Sequence, residues 1–181
     1  MAVIIVQGEK ILLEEYGEKY NHDSIVTSFS VAKSVNSALI GTLIDSGKIP
    51  SEDEPITNYL PELLLRDERF GKITIKNLLN MSSGILYEER FSKRRDDTET
   101  YYNPDLRNLA LTNTLIKEDS GTHFLYNNYN PLLLGLIIER VTGEHVRSTW
   151  AGLFGQNWGV SRMRLGAWTA RNADLKKWRA A

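Results

Sequence analysis

Two residues three positions apart, Ser30 and Lys33, have types and a spacing that suit nucleophilic catalysis. They lie in the stretch TSFSVAKSVNSALIG, residues 27–41, at the start of an apolar segment. A serine hydroxyl is a weak nucleophile at neutral pH and needs an adjacent base. Residues three apart on a helix share one face, so the Lys33 amine can reach the Ser30 hydroxyl. The pair therefore predicts a serine nucleophile with a lysine base.

The lysine must be perturbed before it can act as a base. Near pH 7 its pKa has to fall by several units from about 10.4, through burial or a neighbouring cation. The apolar residues around Lys33 provide burial in outline. The spacing leaves a structural alternative open, in which Ser30 begins a helix and Lys33 is a solvated surface lysine. Ser-x-x-Lys is a loose pattern, although it occurs once in this chain.

A second polar motif, Tyr126 to Asn128, stands at the start of a later apolar segment. Tyrosine can relay a proton, and asparagine can bind a substrate amide or hold the lysine amine. Together with the serine and the lysine, these residues form a set that suits acyl transfer. A second Tyr-x-Asn match, Tyr101 to Asn103, lies in a charged segment and shows that the motif by itself is weak.

The elements that must carry these residues follow from the apolar pattern. Two β-rich runs, residues 3–6 and 11–15, flank Gly8 and predict a hairpin of an antiparallel sheet. Helical spacing of apolar residues predicts a helix over residues 30–46, with Gly47 as its stop. A further helix is predicted over residues 130–144, with Pro131 in its first turn and Gly143 at its end.

The remaining segments are predicted to be shorter or irregular. Residues 48–64 contain three prolines and read as a surface connection with a short helical piece. A short helix capped by Thr74 is expected to end near Gly84. Residues 88–104 are strongly charged and are predicted to form a solvated loop with few core contacts. A helix with Asp105 near its start follows this loop.

The composition of the chain limits the partners and cofactors that we expect. The 181 residues include 22 Lys and Arg against 23 Asp and Glu, a net charge of −1, which gives no electrostatic reason to expect nucleic acid. The chain has no Cys, and His22, His123 and His145 are scattered, so we expect no metal site and no cofactor. A small molecule is the expected partner.

The apolar start of the chain is too short for a membrane span and lacks a preceding basic region. This pattern predicts a cytoplasmic location for the chain as written.

The order of four segments carries a family resemblance. They are SFSVAKSVNSALIGTLIDSGKI, YLPEL, KITIKNLLNMSSGI and FLYNNYNPLLLGLIIERVTG. They resemble the serine β-lactamase and penicillin-binding-protein superfamily, most of all its class C-related serine hydrolase branch of 6-aminohexanoate-dimer hydrolase and esterase types. The resemblance covers residues 3–146. It implies an α+β, β-lactamase/transpeptidase-like fold, built from a helical region and an antiparallel sheet.

The resemblance also implies roles for the polar residues. Ser30 would be acylated by an ester, a small amide or a β-lactam, with Lys33 as its base. Tyr126 would relay a proton to the leaving group, and Asn128 would contact the substrate and Lys33. The Ser30 N–H would supply half of an oxyanion hole. An alternative is a non-catalytic ligand-binding fragment or pseudogene product of the same fold. Many relatives are exported or membrane-anchored, so the resemblance is compatible with a parent protein that is exported or anchored to a membrane.

The resemblance ends at residue 146, which divides the chain into residues 1–146, the N-terminal part of a hydrolase domain, and a tail, residues 147–181. The tail holds all four tryptophans of the chain and shows no sustained helix or strand period. The tail is either a divergent extension or sequence translated out of frame. A shift of the reading frame at codon 147 gives residues that resemble the family. In both cases we expect the C-terminal strands of the sheet to be missing. The hairpin would then lack a sheet to join, and activity would be impaired.

Overall fold

The computed structural model describes residues 2–24, 28–89 and 95–155 of the chain. An N-terminal hairpin precedes a set of helices, which is the α+β arrangement that the sequence predicts. Within these ranges every helix falls short of the apolar length that a bilayer span requires. The strands are β1 (Ala2–Gln7) and β2 (Lys10–Tyr16); the helices are α1 (Val31–Asp45), α2 (Ile75–Leu79), α3 (Asp96–Tyr102), α4 (Leu106–Thr112), α5 (Tyr129–Thr142) and α6 (Val146–Trp150). Short 3₁₀ helices span Ile56–Asn58, Pro61–Leu65 and Glu68–Lys72, and a π-helical turn spans Ala151–Gly155.

The hairpin forms as predicted, with Gly8 at a positive φ of 58° in its turn. Strands β1 and β2 pair antiparallel, and an irregularity after Ile5 shifts the register by one residue. Both strands are largely exposed, including apolar side chains such as Ile4 at 54% and Ile11 at 60%. In the described residues these strands form a two-stranded sheet, an arrangement of marginal stability in water.

Helix α5 is the centre of the core. Its residues from Tyr129 to Ile138 are all buried, and α1, α2, α4 and α6 pack around it. Full burial of a Leu or Ile side chain contributes about 1.5–3 kcal/mol, so this helix is a main source of stability. The Gly143 C-cap, at φ 71°, ends the helix where the sequence predicts.

Helix α1 packs on α5 through an apolar stripe that repeats every four residues, Val35, Leu39 and Leu43. One polar side chain interrupts this buried face. The Asn36 amide donates a hydrogen bond of 3.1 Å to the carbonyl oxygen of Pro131 in the first turn of α5. Because a buried amide needs this partner, the bond fixes the N-terminal halves of the two helices side by side.

Helix α2 begins as predicted but ends earlier. Thr74 and Asn77 form a reciprocal capping box at its start. The helix stops at Leu79 because Met81 adopts a left-handed φ of 55°. The Ser82 N–H then donates to the Asn77 carbonyl, and the Met81 N–H donates to Leu78. This is a Schellman motif built without glycine, so the predicted end near Gly84 is wrong.

In its described part, residues 88–89 and 95–104, the charged segment differs from the solvated loop that the sequence predicts, and residues 90–94 lie outside the described residues. Residues 96–102 form α3, in which Asp96 and Thr100 are buried. The Asp96 carboxylate accepts hydrogen bonds from the Tyr129 hydroxyl at 2.8 Å and from the Glu88 N–H at 2.9 Å. A buried carboxylate is tolerated when its oxygens are satisfied in this way. Tyr129 is 33 residues away from Asp96 in the chain, so charge patterning could not reveal this partner.

Helix α6 crosses the predicted boundary at residue 146. Val146, Thr149 and Trp150 are buried, and the Thr149 hydroxyl lies 3.2 Å from that of Thr142 in α5. The first residues of the predicted tail therefore pack on the core. Residues 156–181 lie outside the described residues, and the division of the chain at this point stays a prediction.

Candidate active site

Ser30 stands directly before α1, in the N-cap position, yet its side chain makes no capping hydrogen bond. The preceding residue, Phe29, is exposed and has a left-handed φ of 44°. A bulky residue in this region is strained by roughly 1–3 kcal/mol, which is more typical of functional sites than of ordinary turns. The hydroxyl is therefore placed at the N-terminus of a 15-residue helix, where partial positive charge favours a developing anion.

Two groups reach the Ser30 hydroxyl. The Lys33 amine donates a hydrogen bond to Ser30 Oγ at 3.2 Å, and the Tyr126 hydroxyl donates one at 2.7 Å. Lys33 comes from the same helix, whereas Tyr126 comes from the segment that leads into α5. The serine oxygen is thus held between an amine and a phenol, both of which can exchange protons with it.

Lys33 is half-buried and makes three contacts within the site. Besides Ser30, its Nζ donates to Asn128 Oδ1 at 2.9 Å and lies 4.7 Å from the centroid of the Tyr126 ring. A cation over an aromatic face is attracted by the ring quadrupole. These contacts differ from those of a solvated surface lysine, the structural alternative that the spacing left open.

These contacts change the pKa of the Tyr126 phenol. Burial would raise its pKa, but hydrogen bonds with Ser30 and Lys33, together with the Lys33 charge, outweigh this effect. The net result is a pKa below the usual 10.0, in spite of a small opposing contribution from the Glu89 carboxylate. A phenol that gives up its proton more readily suits a proton-relay role.

The central residue of the YNN motif organises the loop that carries its neighbours. The buried Asn127 side chain accepts a hydrogen bond from the Asn130 N–H at 2.9 Å. This bond forms a turn that leads directly into the first turn of α5. Asn130 is itself buried and accepts a bond from the Ser83 hydroxyl at 2.7 Å. Because this turn is fixed, Tyr126 and Asn128 both reach the Ser30–Lys33 pair.

Two further residues at the site were missed at the level of sequence. The Asn128 amide nitrogen donates to the Tyr87 hydroxyl at 2.9 Å and to Thr100 Oγ1 at 3.1 Å. Thr100 follows Asp96 by four residues on the same face of α3, a spacing that would mark this face only if the burial of Asp96 were known. No comparable signal marks Tyr87.

The competing Tyr-x-Asn match and the histidines lie elsewhere. Tyr101 is exposed, and the Asn103 amide bonds to Glu99 within its own helix. Each histidine pairs with a different acidic residue: His22 with Asp23, His123 with Glu118 and His145 with Glu139. Across residues 2–24, 28–89 and 95–155, no three His, Asp or Glu side chains are grouped to hold a metal ion.

Comparison with known proteins identifies the family. The family model described as Beta-lactamase matches residues 1–164. The chain belongs to the β-lactamase family. A curated 6-aminohexanoate-dimer hydrolase from Paenarthrobacter ureafaciens is 28% identical over 152 residues, which cover 78% of this chain and 38% of that protein. The chain thus spans well under half the length of this relative, and the family match continues past residue 146.

Solved structures show that the fold is of the β-lactamase/transpeptidase type. A Bacillus anthracis protein assigned as a 6-aminohexanoate-dimer hydrolase aligns with a TM-score of 0.70 at 21% identity, covering 83% of this chain and 42% of that one. A Bacteroides dorei protein assigned as a β-lactamase aligns with a TM-score of 0.71 at 23% identity, covering 94% and 50%. This β-lactamase-family chain therefore contains part of the complete fold.

Proposed function

We propose that the chain carries the nucleophile of a serine hydrolase that cleaves an ester, a small amide or a β-lactam through an acyl-enzyme on Ser30. The observation that carries the proposal is the contact of Ser30 Oγ with both the Lys33 amine and the Tyr126 hydroxyl. Membership of the β-lactamase family supports the same reaction class.

Acylation assigns one proton transfer to each neighbour. As Ser30 Oγ bonds to the substrate carbonyl carbon, its proton passes to Lys33 in its amine form. The carbon–nitrogen or carbon–oxygen bond then breaks, and Tyr126 donates its proton to the leaving group. Lys33 then returns the proton to Tyr126, with whose phenol it shares a hydrogen bond that lowers the pKa of Tyr126. Asn128 holds Lys33 and contacts the substrate amide.

Deacylation reverses these transfers with water as the nucleophile. The Ser30 N–H is one proposed donor to the carbonyl oxygen, and the resemblance places the second donor on a strand with a Lys-Thr-Gly-like or His-x-Gly-like motif. The sequence contains no such motif. Since one oxyanion donor contributes about 10²–10³ in rate, we infer that this chain by itself reacts slowly.

Covalent labelling tests the proposal. Incubation with a fluorophosphonate or a fluorescent penicillin should attach the probe to Ser30, as located by mass spectrometry of the digested protein. Ser30→Ala should abolish labelling, and Ser34→Ala, at an exposed position on the same helix, should leave it intact. Equal labelling of the Ser30→Ala variant would overturn the proposal. Saturable binding of penicillin without any adduct, unchanged in Ser30→Ala, would instead identify a ligand-binding fragment.

The acyl class is proposed to be a linear amide or ester, because the first curated relative is named for hydrolysis of 6-aminohexanoate dimer. Turnover of that dimer, of a nitrophenyl ester and of a penicillin should be compared under the same conditions. Faster turnover of the penicillin than of both linear substrates would contradict this assignment.

A further inference from the structure

The Asn128 amide makes two kinds of hydrogen bond with its two ends. Its oxygen accepts from Lys33 Nζ at 2.9 Å, and its nitrogen donates to Tyr87 and Thr100 at 2.9 and 3.1 Å. The amide oxygen can only accept a hydrogen bond, and the amide nitrogen can only donate one. Two oxygen acceptors on one side of the amide therefore dictate which end faces the lysine.

Those two acceptors are oriented in turn by Asp97. The Tyr87 hydroxyl donates to the Asp97 carboxylate at 3.2 Å, and the Thr100 hydroxyl donates to the Asp97 carbonyl oxygen at 3.1 Å. The two hydroxyls also lie 3.2 Å from each other, so that either can donate to the other. Because each hydroxyl has only one proton, lone pairs of both remain available to the Asn128 amide. Burial raises the pKa of Tyr87 above its ordinary value, so this hydroxyl keeps its proton over the working pH range.

Helix α3 holds this arrangement rigidly against α5. Asp96 is fully buried and accepts a hydrogen bond from Tyr129, the residue after Asn128. The rings of Tyr87 and Tyr129 also meet edge to face, with centroids 5.8 Å apart. Tyr87 and Thr100 are therefore fixed relative to the first turn of α5, rather than adjusting freely to the amide.

We propose that Tyr87 and Thr100 are positioning residues for the reaction at Ser30: they lock the Asn128 amide so that its oxygen faces Lys33 and holds the amine against Ser30. Without their hydroxyls the amide can rotate and present its N–H groups to Lys33, which then loses its acceptor. The inference rests on the proposed function, because it concerns how the base of that reaction is held in place.

Removal of each hydroxyl without loss of shape tests this role. Tyr87→Phe and Thr100→Val should each lower the rate of Ser30 labelling by fluorophosphonate roughly tenfold, with a larger loss in the double variant. Thr100→Ser restores the hydroxyl and should recover most of the rate. Tyr101→Phe, on the exposed face of the same helix, should label at the wild-type rate. Urea unfolding of every variant reports whether it is folded.

A double-mutant cycle separates positioning from general destabilisation. In an Asn128→Ala background the amide is gone, so Tyr87→Phe and Thr100→Val should have no further effect on the labelling rate. Equal losses in the presence and absence of Asn128 would overturn the inference, as would wild-type rates in both single variants.

A second readout works even if the protein does not hydrolyse anything. The Tyr126 phenol faces Lys33, Ser30 and the Glu89 carboxylate, and Lys33 lowers its pKa. If Thr100→Val releases Lys33, the pKa of Tyr126 should rise, as measured by the ultraviolet absorbance of tyrosinate. Absence of wild-type labelling together with this rise would reject the hydrolase but keep the positioning role. An unchanged Tyr126 titration in a folded Thr100→Val variant would reject the positioning role.

Discussion

Lys33 and Asn128 are 95 residues apart in the chain, yet the Lys33 amine donates a 2.9 Å hydrogen bond to the Asn128 side-chain oxygen. This bond joins the first turn of α1 to the entry of α5. One turn further along, Asn36 bonds to Pro131 and repeats the connection inside the core. The candidate site is therefore assembled at the point where the two longest helices in the described residues begin side by side.

The first prediction concerns the titration of Tyr126. Its pKa should lie below 10.0, because hydrogen bonds and the Lys33 charge favour the phenolate over the buried phenol. Lys33→Met removes that charge and should raise the pKa, so the phenolate forms at a higher pH. The difference in tyrosinate absorbance between the wild type and Tyr126→Phe measures this transition. Lys48→Met, at an exposed position beyond α1, should not move it.

The second prediction uses two glycines that share a positive φ but not the same surroundings. A Cβ at Gly84 would overlap the Glu118 carbonyl oxygen, whereas one at Gly143 would meet nothing within 4 Å. Gly84→Ala should lower the free energy of unfolding by roughly 3 kcal/mol or more, through strain and steric overlap. Gly143→Ala should cost about 1 kcal/mol, from backbone conformation. Similar shifts of the urea midpoint in both variants would show that the predicted overlap is absent.

The third prediction tests whether the residues beyond 146 belong to the packed core. Trp150 is buried against it, while Arg147 in the same helix is exposed. Trp150→Ala should lower the free energy of unfolding by about 3 kcal/mol, and Arg147→Ala should stay within about 0.5 kcal/mol. Chemical denaturation measures both changes. If Trp150→Ala is as stable as the wild type, α6 does not contribute to the fold and the predicted boundary at residue 146 gains support.

The fourth prediction concerns the exposed hairpin. Apolar side chains such as Ile4 and Ile11 are more than half exposed on strands whose edges can pair with another chain. We expect concentration-dependent self-association, measurable by light scattering after size-exclusion chromatography. Ile4→Lys should shift the protein towards monomer, because a charge on the strand opposes pairing. Leu65→Lys, at a residue 90% exposed outside the hairpin, is the matched control and should leave association unchanged.

Local signals in the sequence predicted the elements whose causes are local. The apolar repeat of α1, the Thr74 cap of α2, the Gly8 turn and the Gly143 helix end all depend on residues within a few positions. The prediction of a solvated loop over the charged segment was wrong because the cause lies elsewhere in the chain. Asp96 is buried because Tyr129 satisfies its carboxylate, and a run of charges contains no information about that partner.

The sequence by itself determined the candidate nucleophile, the lysine one turn after it and the Tyr-x-Asn motif, because residue types and short spacings express what acyl-transfer chemistry requires. Only the tertiary structure decided that Tyr87 and Thr100 enclose the Asn128 amide. It also brings Tyr126, the tyrosine that the family resemblance implied, to Ser30. The reason is physical. Hydrogen bonds between side chains need distances near 3 Å, and packing of α1 and α3 on α5 sets those distances across about a hundred residues of chain.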